Sequence, residues 1–100
     1  MADQYARTRL LLGDAGFQNL RCARVALFGL GGVGGHAAEA LARAGVGHID
    51  LIDDDTVSLT NLNRQLLALH STQGQYKTQV AAQRIRDIDP TIDVRTHRLF

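Results

Sequence analysis

The chain is 100 residues long, 45% hydrophobic and 21% charged, which sets one domain with a single core and excludes a disordered, collagenous or disulfide-stapled chain. A chain of this size buries about two-thirds of its unfolded surface, enough for one core but short for an enzyme. Eleven basic residues against ten acidic ones give a net charge of +1, which excludes nucleic-acid binding driven by bulk charge.

The start, Met1-Ala2-Asp3-Gln4, lacks the basic-then-apolar pattern of a signal peptide, and no apolar run approaches the ~18 residues of a membrane span. The expectation is a cytoplasmic protein without a membrane partner. Tyr5–Leu20 reads as a helix with apolar positions at Leu10, Leu11, Phe17 and Leu20, interrupted around Gly13 and Gly16. Cys22, the single cysteine, excludes an intrachain disulfide or multi-cysteine zinc site and reads as a half-buried structural thiol. Arg24–Gly29 holds a continuous apolar run, expected as a strand buried on both faces. Ala37, Ala38, Leu41 and Ala42 then recur at helical spacing up to Gly45, a C-cap candidate.

Gly47 opens a second strand, His48–Asp53, and a polar stretch from Asp54 to Asn63 follows. Gln75–Ile88 is the clearest helix, with Val80, Ala81, Ile85 and Ile88 on one face and Pro90 as its stop. Ile92–Phe100 alternates in part and predicts a third strand. The order, a helix followed by βαβαβ, predicts an α/β fold: the N-terminal part of a Rossmann-like, doubly wound parallel sheet. Such a half leaves an edge that normally pairs with further strands. Residues 1–100 are therefore expected to be the nucleotide-binding front of a longer protein.

Gly29, Gly31 and Gly34 satisfy G-x-G-x-x-G between a predicted strand and a predicted helix. The first permits a tight turn, the second lets backbone approach a phosphate, and the third lets helix pack on strand. The helix then offers unpaired N–H groups and its positive dipole end to the anion. Asp53 ends the next strand 19 residues after Gly34, where an acid can accept hydrogen bonds from ribose hydroxyls.

A nicotinamide-dependent oxidoreductase is the default reading of such a turn. The segment Asp53–Gln65 argues for a triphosphate instead, because it supplies three acids, three carboxamides and Arg64. Lys77, the only lysine beside ten arginines, follows 13 residues later near the start of the long helix. Arginine grips phosphate oxygens in a planar fork and lysine acts as a point charge, so both could stabilise a departing pyrophosphate. The extra acids, Asp54 and Asp55, suit Mg2+ beside phosphates. Taken singly, Arg64 and Lys77 read as solvated surface residues and the acids as turn formers. His36, His48, His70 and His97 show no metal-ligand or acid–base spacing. Arg84, Arg86, Arg95 and Arg98 are candidates for one basic face.

At these residues the sequence resembles the ThiF/MoeB/HesA family, relatives of ubiquitin-activating enzymes that adenylate a carboxylate with Mg-ATP. The segments that carry the likeness are Arg24–Gly34 (RVALFGLGGVG), Ala44–Asp53 (AGVGHIDLID), Asp55–Gln65 (DTVSLTNLNRQ) and Gly74–Pro90 around Lys77. The resemblance implies that Gly32 lies against the phosphates and Asp53 holds the ribose. It implies that Asn61, Asn63, Arg64 and Gln65 line the triphosphate and that Lys77 neutralises it. It also implies a homodimer in which Arg7 enters the partner's ATP site. The family's magnesium-binding aspartate and the cysteine of its ubiquitin-like branch would both lie past Phe100.

Within the family, Asn61–Gln65 followed by Leu66–Thr72 is similar to the branch of tRNA threonylcarbamoyladenosine dehydratases. The resemblance to that branch implies ATP and Mg2+ as cofactors and tRNA as substrate. Its carboxylate is adenylated, and its own amide then closes a ring and releases AMP. Two other readings stay open. One is adenylation of the C-terminus of a ubiquitin-like sulfur carrier; the other is a non-catalytic nucleotide-binding or dimerising fragment.

Overall fold

A computed structural model describes residues 3–99. The chain runs α1 (Ala6–Cys22), β1 (Arg24–Phe28), α2 (Val33–Ala44), β2 (His48–Ile52), α3 (Lys77–Ile88) and β3 (Asp93–His97), with 3-10 turns at Leu59–Asn61 and His70–Thr72. The three strands are parallel, in the order β1-β2-β3, with Arg24 beside His48 and His48 beside Asp93. This is the expected α/β, Rossmann-like arrangement. Phe100, placed at the end of the predicted third strand, lies outside the described residues.

Because strand order follows chain order, right-handed crossovers place α2 and α3 on the same side of the sheet. The core forms in that layer, where Ala38, Ala42, Val80, Ala81 and Ile85 of the helices meet Ile49 and Leu51 of β2. Gly45 caps α2 as expected, its N–H reaching the carbonyls of Leu41 and Ala42 at 3.2 Å. α3 ends at Ile88, two residues before Pro90.

The one-sided helical layer corrects the expectation that β1 is buried on both faces. Val25 and Leu27 turn toward α2 and are half-buried, whereas Arg24, Ala26 and Phe28 are exposed. The open face carries charge: Arg24 reaches Asp50 at 3.3 Å and Asp93 at 3.4 Å, and His97 lies 3.5 Å from Asp50.

α1 also departs from expectation. Gly13 alone breaks it (φ 73°, ψ 169°), while Gly16 stays helical. Leu10 and Leu11 are 85% and 87% exposed, and Phe17 is the helix's one buried residue, packed against Tyr5. Cys22 is exposed, because Leu20 and Arg21 take the inward side of the last turn of α1, on the core and on Asp89.

A polar network fastens α1 to the amino-terminal end of the sheet. The buried Tyr5 hydroxyl donates to Asp89 Oδ2 at 2.5 Å, and Arg21 donates to the same oxygen at 3.2 Å and to Thr91 Oγ1 at 2.8 Å. Burial and the Asp89 carboxylate push the Tyr5 phenol up to about 12. Burial acts to raise the Asp89 carboxyl, but hydrogen bonds from Tyr5 and Thr91 and the Arg21 charge outweigh it and hold the group below its ordinary value.

Candidate nucleotide site

The glycine turn joins β1 to α2 at the carboxyl ends of the strands. Gly29 and Gly32 have φ of +88° and +52°, a region where a side chain is strained. A Cβ on Gly34 would stand 2.0 Å from the Gly29 carbonyl oxygen, so this position admits glycine alone. A Cβ on Gly31 would meet the Gln65 side-chain amide at 3.1 Å. The Gln65 side chain therefore lies against the glycine turn. The first turn of α2 has no side-chain cap and no acidic residue, so its N–H groups and positive dipole end stand open to an anion.

Asp53 sits where β2 ends, and its carboxylate is held by two backbone donors. Leu30 N–H reaches Oδ2 at 2.7 Å and Asp55 N–H reaches Oδ1 at 2.8 Å. The acid therefore also ties the glycine turn to the end of the neighbouring strand. Carboxylate oxygens of Asp53, Asp54 and Asp55 all lie within 4.8 Å of one another.

The loop from Asp54 is pinned across the N-terminus of α3. Thr56 pairs with Tyr76 in an isolated antiparallel bridge, and Lys77 N–H donates to the Asp55 carbonyl at 3.0 Å. Lys77 is only 6% exposed, and its Nζ lies 3.8 Å from Asp55 Oδ2. An ammonium so far removed from water, with one acid at long range, suits an incoming anion.

The predicted carboxamides divide. Asn61 is buried and its Oδ1 accepts the Ser58 N–H at 3.0 Å, which makes it a cap of the 3-10 turn. Asn63 is exposed. Arg64 is also exposed, with Nη1 on the Thr60 carbonyl at 2.9 Å and no carboxylate partner among the described residues. Arg7 is not in this site. It lies two residues from Tyr5, which contacts Ala42 and Asp89 at the opposite end of the sheet.

Phe28, Ile52 and Leu99 line a cavity of about 280 Å3 with Gly29 and the three acids. These apolar walls were missed in the sequence, although an apolar residue stands directly before both Gly29 and Asp53. The cleft thus sets apolar walls beside the Asp53 carboxylate. The larger groove, about 550 Å3 between α2 and α3, has no comparable character: Glu39 binds both Arg43 and Arg84, and the lining charges neutralise one another.

Known proteins agree with this geometry. Residues 5–100 match the model of the ThiF family. A tRNA threonylcarbamoyladenosine dehydratase of Bacillus subtilis is 49% identical over 100 residues, covering all of this chain and 39% of that protein. The crystal structure of Escherichia coli tRNA N6-threonylcarbamoyladenosine dehydratase in complex with ATP superposes with a TM-score of 0.94 at 44% identity, over 97% of this chain and 40% of that one. A molybdopterin-synthase adenylyltransferase of Escherichia coli is 46% identical over 79 residues, covering 79% of this chain and 32% of the relative. The chain thus spans about two-fifths or less of the length of these relatives. With a parallel βαβαβ sheet, an open glycine turn and a family match over nearly its whole length, the chain belongs to the ThiF family.

Proposed function

We propose that residues 1–100 are the nucleotide-binding front of an ATP-dependent adenylating enzyme whose substrate is the carboxylate of threonylcarbamoyladenosine in tRNA. The observation that carries this reading is the meeting of the uncapped α2 N-terminus, the buried Lys77 and the ribose-side acid Asp53 at one end of the sheet. Similarity to the dehydratases, one of them in complex with ATP, supports it.

ATP supplies an electrophilic α-phosphate and pyrophosphate as leaving group. Gly31 and Gly32 bring backbone up to the phosphates, Lys77 and Arg64 stabilise the charge that collects on the β and γ groups, and Asp53 accepts from the ribose. Asn63 and Gln65 lie along the triphosphate, whereas Asn61 serves the shape of the loop. The cleft of Phe28, Ile52 and Leu99 takes the base. The carboxylates of Asp54 and Asp55 would hold Mg2+, which would supply positive charge beside the phosphates.

The substrate carboxylate attacks the α-phosphate and pyrophosphate departs. The tethered amide nitrogen then attacks the acyl carbon, loses its proton and releases AMP as the ring closes. Tethering makes this capture effectively unimolecular, so no enzyme cysteine is needed. In a homodimer, Arg7 is supplied from one protomer to the other protomer's site. No helix among the described residues is long and apolar enough to cross a membrane. A tRNA substrate used together with ATP supports a cytoplasmic location.

The test is AMP release by full-length protein carrying this segment, with and without tRNA bearing the modified adenosine. Release that depends on this tRNA is expected. The 46% identity to a molybdopterin-synthase adenylyltransferase favours one second reading, a ubiquitin-like sulfur carrier as substrate. Pyrophosphate exchange that depends on such a carrier and not on tRNA would select it.

A further inference from the structure

The four arginines that form a candidate basic face in the sequence separate in the structure. Arg84 is claimed by Glu39 at 2.9 Å and Arg95 by Asp93 at 3.3 Å. Arg86 and Arg98 have no carboxylate partner among the described residues, and both line one groove of about 220 Å3 between α3 and β3. The other lining residues are Thr78, Gln79, Ala82 and Thr96, so no acid faces the two guanidiniums from either wall.

The groove has direction. Gln79, Ala82 and Arg86 fall on one face of α3 at successive turns. Arg98 follows β3 at the carboxyl ends of the strands, where the Asp53 N–H reaches the His97 carbonyl at 3.1 Å. Its guanidinium lies 4.4 Å from the centre of the Tyr76 ring, directly before Lys77. The groove therefore starts beside the proposed nucleotide site and leads away from it along α3.

We infer that this α3–β3 groove binds the phosphodiester backbone of the RNA substrate, with Arg86 and Arg98 each gripping a phosphate. Guanidinium is the cation whose planar fork matches phosphate oxygens, and hydroxyl and amide groups along the walls add neutral donors. The Arg98–Tyr76 stack holds one fork in place and leaves a half-exposed aromatic face for an unpaired base. Net charge gives no hint of this, because the sum hides where the charges sit: Arg9, Arg21, Arg24, Arg43, Arg84 and Arg95 pair with acids elsewhere, and among the described residues Arg86 and Arg98 do not. The inference rests on the proposed tRNA substrate and specifies the surface that receives it.

The experiment measures binding of unfractionated tRNA to the chain across a salt series, for the native sequence, for Arg86→Ala with Arg98→Ala, and for Arg86→Lys with Arg98→Lys. Both side chains are exposed, so the variants are expected to keep the native melting temperature. Losing two phosphate contacts should weaken binding about tenfold or more and lower the slope of log affinity against log salt by about 1.5. The lysine pair should restore most of the slope. ATP affinity, measured in parallel, should not change. Unaltered tRNA binding by the double alanine variant overturns the assignment. So does loss of binding to an acidic peptide ending in Gly-Gly with tRNA binding intact, which would make the groove a protein site. Failure of the native chain to bind ATP, with tRNA binding still dependent on Arg86 and Arg98, would sink the adenylation reading while the groove stands.

Discussion

The carboxylate of Asp53 accepts the backbone N–H of Leu30 at 2.7 Å, so an acid at the end of β2 holds the glycine turn that follows β1. Its second oxygen takes the Asp55 N–H at 2.8 Å and fixes the start of the loop that leads to Lys77. One side chain thus shapes both walls of the nucleotide site.

Replacing Asp53 with Asn keeps the size, but a carboxamide has a single acceptor oxygen, so one of the two backbone N–H groups keeps a neutral bond and the other faces an NH2 donor. Charge-assisted bonds contribute about 1.5–3 kcal/mol each and neutral ones about half that, so with one bond lost and one neutralised D53N should lose about 2–4 kcal/mol of stability. ATP affinity should fall as well, about tenfold, because the turn and the ribose contact weaken together. Chemical denaturation beside calorimetric ATP titration separates the two effects; equal ATP affinity in D53N would contradict the role.

Gly34→Ala and Gly35→Ala make a matched pair. The first drives a Cβ to 2.0 Å from the Gly29 oxygen, while the second meets the Leu30 oxygen at 3.4 Å, ordinary contact. G34A should cost at least about 2 kcal/mol and abolish nucleotide binding, whereas G35A should stay within about 1 kcal/mol of native stability. Thermal melts decide it, and equal melting temperatures would refute the close-packing account.

The Tyr5–Asp89 contact gives stability a pH dependence with two limbs. The phenol titrates higher in the folded state, near 12, than in the unfolded chain near 10, so its contribution is complete below pH 10 and lost between pH 10 and 12. The Asp89 carboxyl titrates below its ordinary value of 3.8, so its contribution is complete above that pH and lost as acid protonates it in the folded state. Tyr5→Phe should cost about 1–2 kcal/mol at neutral pH and flatten the alkaline limb. An alkaline limb unchanged in Y5F would assign it to another group.

Arg7 is two residues from Tyr5, at the far end of the sheet from its own glycine turn, so the role proposed for it in adenylation requires two protomers. Full-length Arg7→Ala and Lys77→Ala variants should each be inactive alone. Mixed in equal amounts and allowed to exchange, they should recover about a quarter of native activity, since half the dimers carry one intact site of two. A mixture with no more activity than its components would remove Arg7 from the site.

The glycine turn, the Gly45 cap and the Pro90 stop are legible in the sequence because each is a local requirement of the backbone. The one-sided burial of β1 is not, since it depends on which face the crossovers cover. An apolar run such as Val25–Phe28 reads the same in either case. Leu10 and Leu11 mislead for a related reason: apolar spacing marks a face but not whether this chain covers it. Asn61 reads as a ligand in the sequence, and its second task, capping a 3-10 turn through Oδ1, becomes visible only with the Ser58 N–H in place. The cleft of Phe28, Ile52 and Leu99 joins residues distant in sequence and is visible only after β1, β2 and β3 align.

The central claim is that this end of the sheet is built for a triphosphate, and calorimetric titration of ATP and of NADH into the native chain and Lys77→Ala tests it most directly. The account predicts that ATP binds more tightly than NADH and that K77A weakens ATP at least about tenfold while its unfolding transition is retained. Tighter binding of NADH, or ATP affinity indifferent to the loss of Lys77, would contradict it.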